Sequence, residues 1–449
     1  MALTDNCLYH YGSVWDDIPV VTHARPLRRR LPAQPSSVGE ARRLVRQSLA
    51  DAGRGDLVET AELLVSEVVT NALLHAGTPI DVALSVKENG LFVEVGDGSP
   101  HLPSRRSYAA AARTGRGLLM LEQMVNDWGV LPNPPGKTVW FHVTSGDHDE
   151  SDLTSLERTT ETASLPLGET VSVTLLNVPL LLHAAWEEHA QALLREYLLA
   201  NLDPDFADEA IREHAEATDA IAVLAQRIPR PGVRMAPNEL MSDAVEPRVS
   251  SPRVDVLVAH ESVRHFRTLD QTLRKAITLA EDDLLLTPPA QPELQSYRRW
   301  LCRQVDQQSR GGTSSPWPAE ADPPSAARGA LSWDASPVTE SARAMIAADD
   351  ENLILAASRS ALDLLGYDEQ AQLVGQRIVA IIPTRYRQAH IAGFTLHLLV
   401  GRSPLIGKTV VVPALRRDGS EVVVELTVRS ESVPQGRKVF LAELREAAP

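Results

Sequence analysis

Two stretches of this chain lack the apolar pattern that a folded core needs, and they divide it. Residues 146–170 are acidic and rich in Ser and Thr. Residues 311–334, opening with "GGTSSPWPAEADPPSAARG", are rich in Gly, Ser and Pro. Neither composition buries enough apolar surface to offset the entropy of ordering it, so both read as linkers. The 449 residues are in any case too many for one core. An α/β multidomain chain is therefore expected: an arm over 1–35, a domain over 36–145, a region over 171–310 and a last domain over 335–446.

Composition narrows the function classes. At 43% hydrophobic and 23% charged the chain is globular. A net charge of −15 argues against a broad nucleic-acid or anionic-membrane surface, so neither partner is expected. The two cysteines, Cys7 and Cys302, have no metal-ligand spacing and point to a reducing compartment. "LLNVPLLLHAAW" is the most apolar long stretch and is too short to span a bilayer. No signal peptide opens the sequence, so a cytoplasmic location is expected.

The domain over 36–145 has a regular pattern. Ser37, with Glu40 three residues on, suggests a capping box for a helix carrying Val38, Ala41, Leu44, Val45 and Leu49 on one face. A second helix, about 57–76, contains "ELLVSEVVTNALLHAG", with Leu63, Leu64, Val68, Ala72 and Leu73 as its apolar stripe. "PIDVALSVKENGLFVEVGDGSP" alternates on both sides of Asn89-Gly90 and reads as a hairpin. "TGRGLLMLEQMVNDWG" reads as a glycine-led helix and "GKTVWFHV" as a last strand. The result is an α/β sandwich.

Glu67, Asn71 and His75 recur every four residues, on one face of the second helix. A side-chain amide oxygen suits Mg²⁺, and a carboxylate one turn away can serve as a general base. Alone, that spacing equally describes a solvated polar face, and His75 reads as a capping or packing residue. Three further features add weight. Asp97-Gly98 ends a strand, where a carboxylate can accept from an exocyclic amine. Gly115 and Gly117 stand at the mouth of a helix, where backbone N–H groups can meet phosphates. Thr138 lies on the last strand, where its hydroxyl could reach a base.

The order of these four elements resembles the Bergerat-fold (GHKL) ATPases. Within them it is most similar to the ATP-binding domain of anti-sigma-factor serine/threonine kinases, whose E-[AV]-[VC]-[TA]-N-[AV]-x-x-H box matches residues 67–75. The resemblance implies ATP and Mg²⁺ as cofactors, Asn71 on the metal, Glu67 as base and Asp97 on the adenine amine. It further implies Gly98, Gly115 and Gly117 around the nucleotide, Thr138 near the base, and an anti-sigma-factor antagonist or sigma-factor-like protein as partner. One departure stands out: "GDGSPHLP" has Pro100 and Pro103 where the family places further glycines. A non-catalytic, ATP-bound regulator that sequesters its partner is the alternative. A histidine kinase would carry its phosphoacceptor helix first, whereas His260-Glu261 in "AHESVRHF" comes after the ATP domain and lacks the expected sequel.

Over 171–310 helical patterns dominate, at 179–201, 205–228, 252–282 and 291–309. A central helical region for dimerisation or signal relay is expected. In the last domain, "LLGYDEQAQLVGQRIVAIIP" and "RRDGSEVVVELTV" resemble a PAS sensor domain, an α+β fold. "IPTRYRQAHIAGFTLHLLVG" is similar to the helix that carries the iron ligand in haem-binding PAS sensors. That resemblance implies His390 as an axial ligand, with Ile391, Phe394, Leu398, Leu405 and Ile406 as an apolar pocket. Leu396 and Val410 replace basic residues of those sensors, and a packing histidine or a pocket for an apolar ligand is the alternative. His397 is expected at the surface.

Overall fold

The computed structural model describes residues 26–87, 90–99, 124–125, 127–133, 136–144, 169–201, 207–232, 243–318, 331, 333–401, 405–433 and 437–447. They form two compact units, the first mainly residues 26–144 and the second mainly residues 169–447.

The first unit is built on an antiparallel sheet of β1 (Leu27–Leu31), β2 (Ile80–Lys87), β3 (Gly90–Asp97), β4 (Asp127–Asn133) and β5 (Gly136–Thr144). The strand order is β1-β2-β3-β5-β4. β1 takes up the end of what reads in sequence as an arm. Its sequence LRRRL shows no apolar alternation, yet it pairs with β2 along the sheet edge, where exposed arginines discourage further pairing. The hairpin forms as expected, with Lys87 opposite Gly90.

Two helices, α1 (Ser36–Asp51) and α2 (Val58–Ala76), complete the described part of this unit. The capping box does not form. The Ser37 hydroxyl donates instead to the Pro32 carbonyl (2.7 Å) and ties the helix start to the segment after β1. On α2 the buried stripe is Ala61, Leu64, Val65, Val68, Val69, Ala72 and Leu73, while Leu63 is exposed. These stripes and the fully buried rows Val82–Leu84, Leu91–Val93–Val95 and Val139–Phe141–Val143 make the core. The glycine-led helix lies outside the described residues except at its end, where "DWGVLPN" is strand β4.

The second unit joins the central region to the last domain. The central region is mainly helical: α3 (Leu180–Ala200), α4 (Ala207–Ala225), α5 (Val263–Glu281) and α6 (Pro292–Ser309). It also holds an antiparallel pair, β6 (Thr170–Pro179) with β7 (Ser250–Ala259). The helix expected to start at 252 therefore starts at 263. Val254, Val256 and Val258 alternate with exposed neighbours in the period of a strand. The start of the second linker is also core material: the Trp317 backbone N–H donates to the Leu176 carbonyl (2.9 Å), and its ring packs edge-on against Tyr297 and Trp300.

The last domain has α7 (Ser336–Thr339), β8 (Ala344–Asp349), β9 (Ile354–Ala357), α8 (Arg359–Leu365), α9 (Thr384–Val400), β10 (Thr409–Leu415), β11 (Glu421–Ser432) and β12 (Lys438–Glu446). Its antiparallel sheet runs β10-β11-β12-β8-β9, placing the first and last strands side by side at the centre. Ser358 caps α8 through the Ala361 N–H, and Gly366 ends it at φ 75°. Helix α9 packs on α3, and its Ile391 belongs to the central core. Gln388 on α9 accepts from the Leu181 N–H (2.8 Å), satisfying an orphan donor of the first turn of α3. No helix among the described residues is long and apolar enough to cross a membrane.

Candidate functional site

In an antiparallel sheet, residues opposite each other point to the same face, and successive residues point to opposite faces. Asp97 ends the buried row Leu91–Val93–Val95 of β3, and its direct partner on β5 is Lys137, which ends the row Val139–Phe141–Val143. The two side chains meet inside this face: Lys137 Nζ donates to Asp97 Oδ1 at 2.9 Å, with only 5% and 2% of the side chains exposed. The Ser99 N–H donates to the same Oδ1 (2.9 Å), and Lys137 also donates to the Ser99 carbonyl (3.3 Å). Burial pushes the Asp97 carboxyl above its ordinary 3.8, and the Lys137 charge and both donors pull against that rise.

The corner is closely built around its backbone. A Cβ on Gly136 would lie 1.7 Å from the Asp97 carbonyl oxygen, so only glycine fits there. The Gly98 N–H donates to Thr78 Oγ1 (2.8 Å), and a Cβ on Gly98 would press on the same threonine. Asp97 Oδ2 takes no bond from a described residue, so among these residues the carboxylate is fixed by one oxygen. That arrangement fits an amino donor of a base.

The sequence expectation for the last strand is displaced by one residue. Thr138 stands opposite Gly96 and Leu131, on the other face of the sheet from Asp97, and its hydroxyl accepts from Asn133 Nδ2 at 3.3 Å. Lys137, not Thr138, shares the face of Asp97. The signal is present in "GKTVWFHV": Lys137 shares the period of Val139, Phe141 and Val143. Thr78, Ser99 and Gly136 also escape the sequence reading, because their roles depend on the register.

Glu67 and Asn71 lie one turn apart on the flank of the α2 stripe. Both are half-buried, and neither side chain bonds to a described residue. An amide oxygen and a carboxylate with unspent acceptor capacity, set beside a core, fit a hydrated Mg²⁺ and a proton-accepting role. The His75 side chain, Gly115 and Gly117 lie outside the described residues.

The haem reading of His390 does not fit the structure. Its Nε2 is held by Asn352 Oδ1 (2.9 Å), and the ring stacks on Phe394 (5.9 Å between centroids). Desolvation and the nearby Arg377 push the imidazole down to about 4, so it is neutral and donates its Nε2 proton to the amide. Asn352 Nδ2 in turn donates to Gln291 Oε1 (3.2 Å), which also accepts from Arg377 Nη2 (3.0 Å). The nitrogen an iron would need is thus part of a network linking the last domain to α6. Ile391, assigned to a haem pocket, packs on the central core, and His397 is buried against Phe440 rather than exposed.

Residues 31–143 match the family described as histidine kinase-like ATPase domain, and residues 338–446 match the PAS fold. A curated relative from Azorhizobium caulinodans, described only as an uncharacterized protein, is 34% identical over 103 residues, which are 23% of this chain and 14% of that protein. The chain therefore spans a small part of that relative. Among solved structures, the PAS domain of the HTR-like protein from Haloarcula marismortui is 22% identical, covering 25% of this chain and 87% of that one, with a TM-score of 0.19. The Rhodobacter sphaeroides LOV protein is 18% identical, covering 25% and 65%, with a TM-score of 0.21. An N-terminal ATPase domain of the GHKL type and a C-terminal PAS domain are present in one polypeptide.

Proposed function

We propose that this chain, a signalling protein joining a GHKL ATPase domain to a PAS domain, binds Mg-ATP and phosphorylates a serine or threonine of an anti-sigma-factor antagonist. The PAS domain regulates that step. The observation that carries the reading is the pair Glu67 and Asn71, one turn apart and bonded to no described residue, in the unit whose Asp97 is fixed through one oxygen.

Each residue has a role that its chemistry supports. Asp97 Oδ2 accepts from the adenine amine. Asn71 offers its amide oxygen to the metal, and Gly98 lets the chain turn closely beside the base. Glu67 takes the proton of the incoming hydroxyl. Bound Mg-ATP supplies the phosphoryl group and the positive charge that offsets its oxygens.

Glu67→Gln should lower the phosphorylation rate by roughly 10²–10⁴-fold, the usual worth of a general base, while leaving ATP affinity intact. Asn71→Ala should instead weaken the Mg²⁺-dependent part of ATP binding. Isothermal titration followed by transfer of labelled phosphate to candidate antagonists reads both. No binding near millimolar ATP would sink the nucleotide assignment. The prolines of "GDGSPHLP" favour a second reading, in which the ATP-bound chain sequesters its partner without transferring phosphate. Wild-type protein that binds ATP, captures an antagonist and labels none of it would establish that reading.

A further inference from the structure

Lys137 is the residue at the nucleotide corner that the family resemblance does not account for. The residue is 4% exposed, and its ammonium has three hydrogens to place. Two go to Asp97 Oδ1 (2.9 Å) and the Ser99 carbonyl (3.3 Å). The third has no acceptor among the described residues. A buried charged donor left one bond short is costly, and an acceptor brought by a ligand removes that cost. Asp97 is complementary: Oδ1 is saturated by Lys137 and Ser99, and Oδ2 takes no bond from a described residue. Among the described residues the corner therefore leaves one acceptor, Asp97 Oδ2, and one donor hydrogen on Lys137 without a protein partner.

We propose that Lys137 is a specificity-determining residue that reads the purine jointly with Asp97. Asp97 Oδ2 accepts from the exocyclic amine of adenine, and Lys137 donates its third hydrogen to the neighbouring ring nitrogen N1. This deepens the ATP-binding assignment and rests on it. Adenine carries that donor and acceptor next to each other on its Watson–Crick edge. Hypoxanthine carries the same two roles in reversed order, an acceptor O6 and a donor N1–H, so the polarity of the pair is also fixed by the reading. Lys137 reaches this place because Gly136, with no Cβ, lets β5 close on the Asp97 carbonyl.

The test compares ATP, 1-deaza-ATP (N1 replaced by C–H) and ITP by isothermal titration with the full-length chain, wild type and Lys137→Met. Wild-type protein should bind 1-deaza-ATP at least about tenfold more weakly than ATP, the worth of one charge-assisted hydrogen bond. Lys137→Met should bind ATP correspondingly more weakly and lose the discrimination. The wild-type comparison needs no variant, so it stands even if removal of the ammonium unfolds the corner. Equal wild-type affinity for ATP and 1-deaza-ATP overturns the role of Lys137 while leaving ATP binding in place. Discrimination that survives in a folded Lys137→Met overturns it too. ITP bound as tightly as ATP overturns the polarity assigned to the pair. Wild-type protein that binds no nucleotide overturns this inference and the ATP assignment together.

Discussion

Asp97 in the first unit and Asp349 in the second are both carboxylates that burial pushes above 3.8, and each faces a buried cation. They differ in what is left over. Lys137 meets Asp97 as a point charge and occupies one oxygen, and the other takes no bond from a described residue. Arg437 meets Asp349, Asp350 and Glu351 as a fork, with Nη2 within 3.3, 2.7 and 3.1 Å of them and Nε 3.0 Å from Asp350. Asp349 Oδ1 is taken as well, by the N–H groups of Glu351 and Leu353. A planar guanidinium saturates several carboxylates at once, whereas an ammonium on a flexible stem does not. Buried charge is therefore consumed as structure at one site and kept available at the other.

The widest separation between the units is expected on acidification. In the second unit burial pushes His183 down to about 3 and His189 and His214 down to about 4, from an ordinary 6.5. Between these limits the unfolded rings carry protons that the folded ones refuse. Stability is thus lost as pH falls from 6.5 towards 4, by up to about 1.4 kcal/mol per pH unit for each ring. In the first unit His142 is the one described imidazole shifted downwards, and Asp97 has the opposite sign, as Asp349 has in the second unit. With its pKa raised, folded Asp97 holds a proton that the unfolded chain has released, so its contribution improves as pH falls towards 3.8. Hydrogen exchange at pH 7 and pH 5 should show α3, α4 and α5 losing protection well before β3 and β5. Equal loss in both units would break the distinction.

A smaller but sharper effect is expected at the saturated cluster. Arg437→Met leaves three carboxylates with ligand atoms within 4.8 Å of one another and no cation. Removing one partner of a buried ion pair costs about 3–5 kcal/mol, which thermal unfolding would read as a large drop in Tm. Millimolar Ca²⁺ should restore much of the loss in the variant and do little to the wild type, where the guanidinium fills the place. A variant as stable as the wild type without added metal would mean that the three acids are already screened, and that Arg437 is not what holds them.

Legibility in sequence tracks the range of the interaction concerned. The β2–β3 hairpin, α9 and the three strands after it are readable because alternation, turn residues and apolar spacing are local signals. The Arg417-Asp418-Gly419 turn is too, with Gly419 at φ 85°. Strands β1 and β4 are not, since LRRRL and DWGVLPN carry no alternation and exist through their partners. β7 carries a local signal that reads wrongly as helix: its valines alternate, but the next helix continues the apolar run. At the sites the same rule holds. The place of Asp97 at a strand end before Gly98 is legible, whereas its pairing with Lys137, 40 residues on, is not. The Asn352 partner of His390 lies 38 residues away and 0% exposed in another turn, so nothing near His390 announces that its ring is already bonded.

The smallest expected effect is Thr138→Val, and its smallness is what makes it informative. Thr138 and Lys137 are neighbours on β5, and a one-residue shift in register would exchange their faces. In the observed register, Thr138 lies opposite Gly96, with its hydroxyl 3.3 Å from Asn133 Nδ2 at a solvent-exposed position. An exposed hydrogen bond of that length contributes little, and valine suits a strand at least as well as threonine. Stability should change by no more than about 0.5 kcal/mol, as for surface substitutions away from special features. ATP affinity should stay within about twofold of wild type, since the side chain points away from Asp97. Lys137→Met, one position earlier, should weaken binding by about tenfold or more. The reverse order of the two effects would place the hydroxyl of Thr138 at the base. It would also move Lys137 to the outer face, and the buried pair that fixes Asp97 would have to be given up.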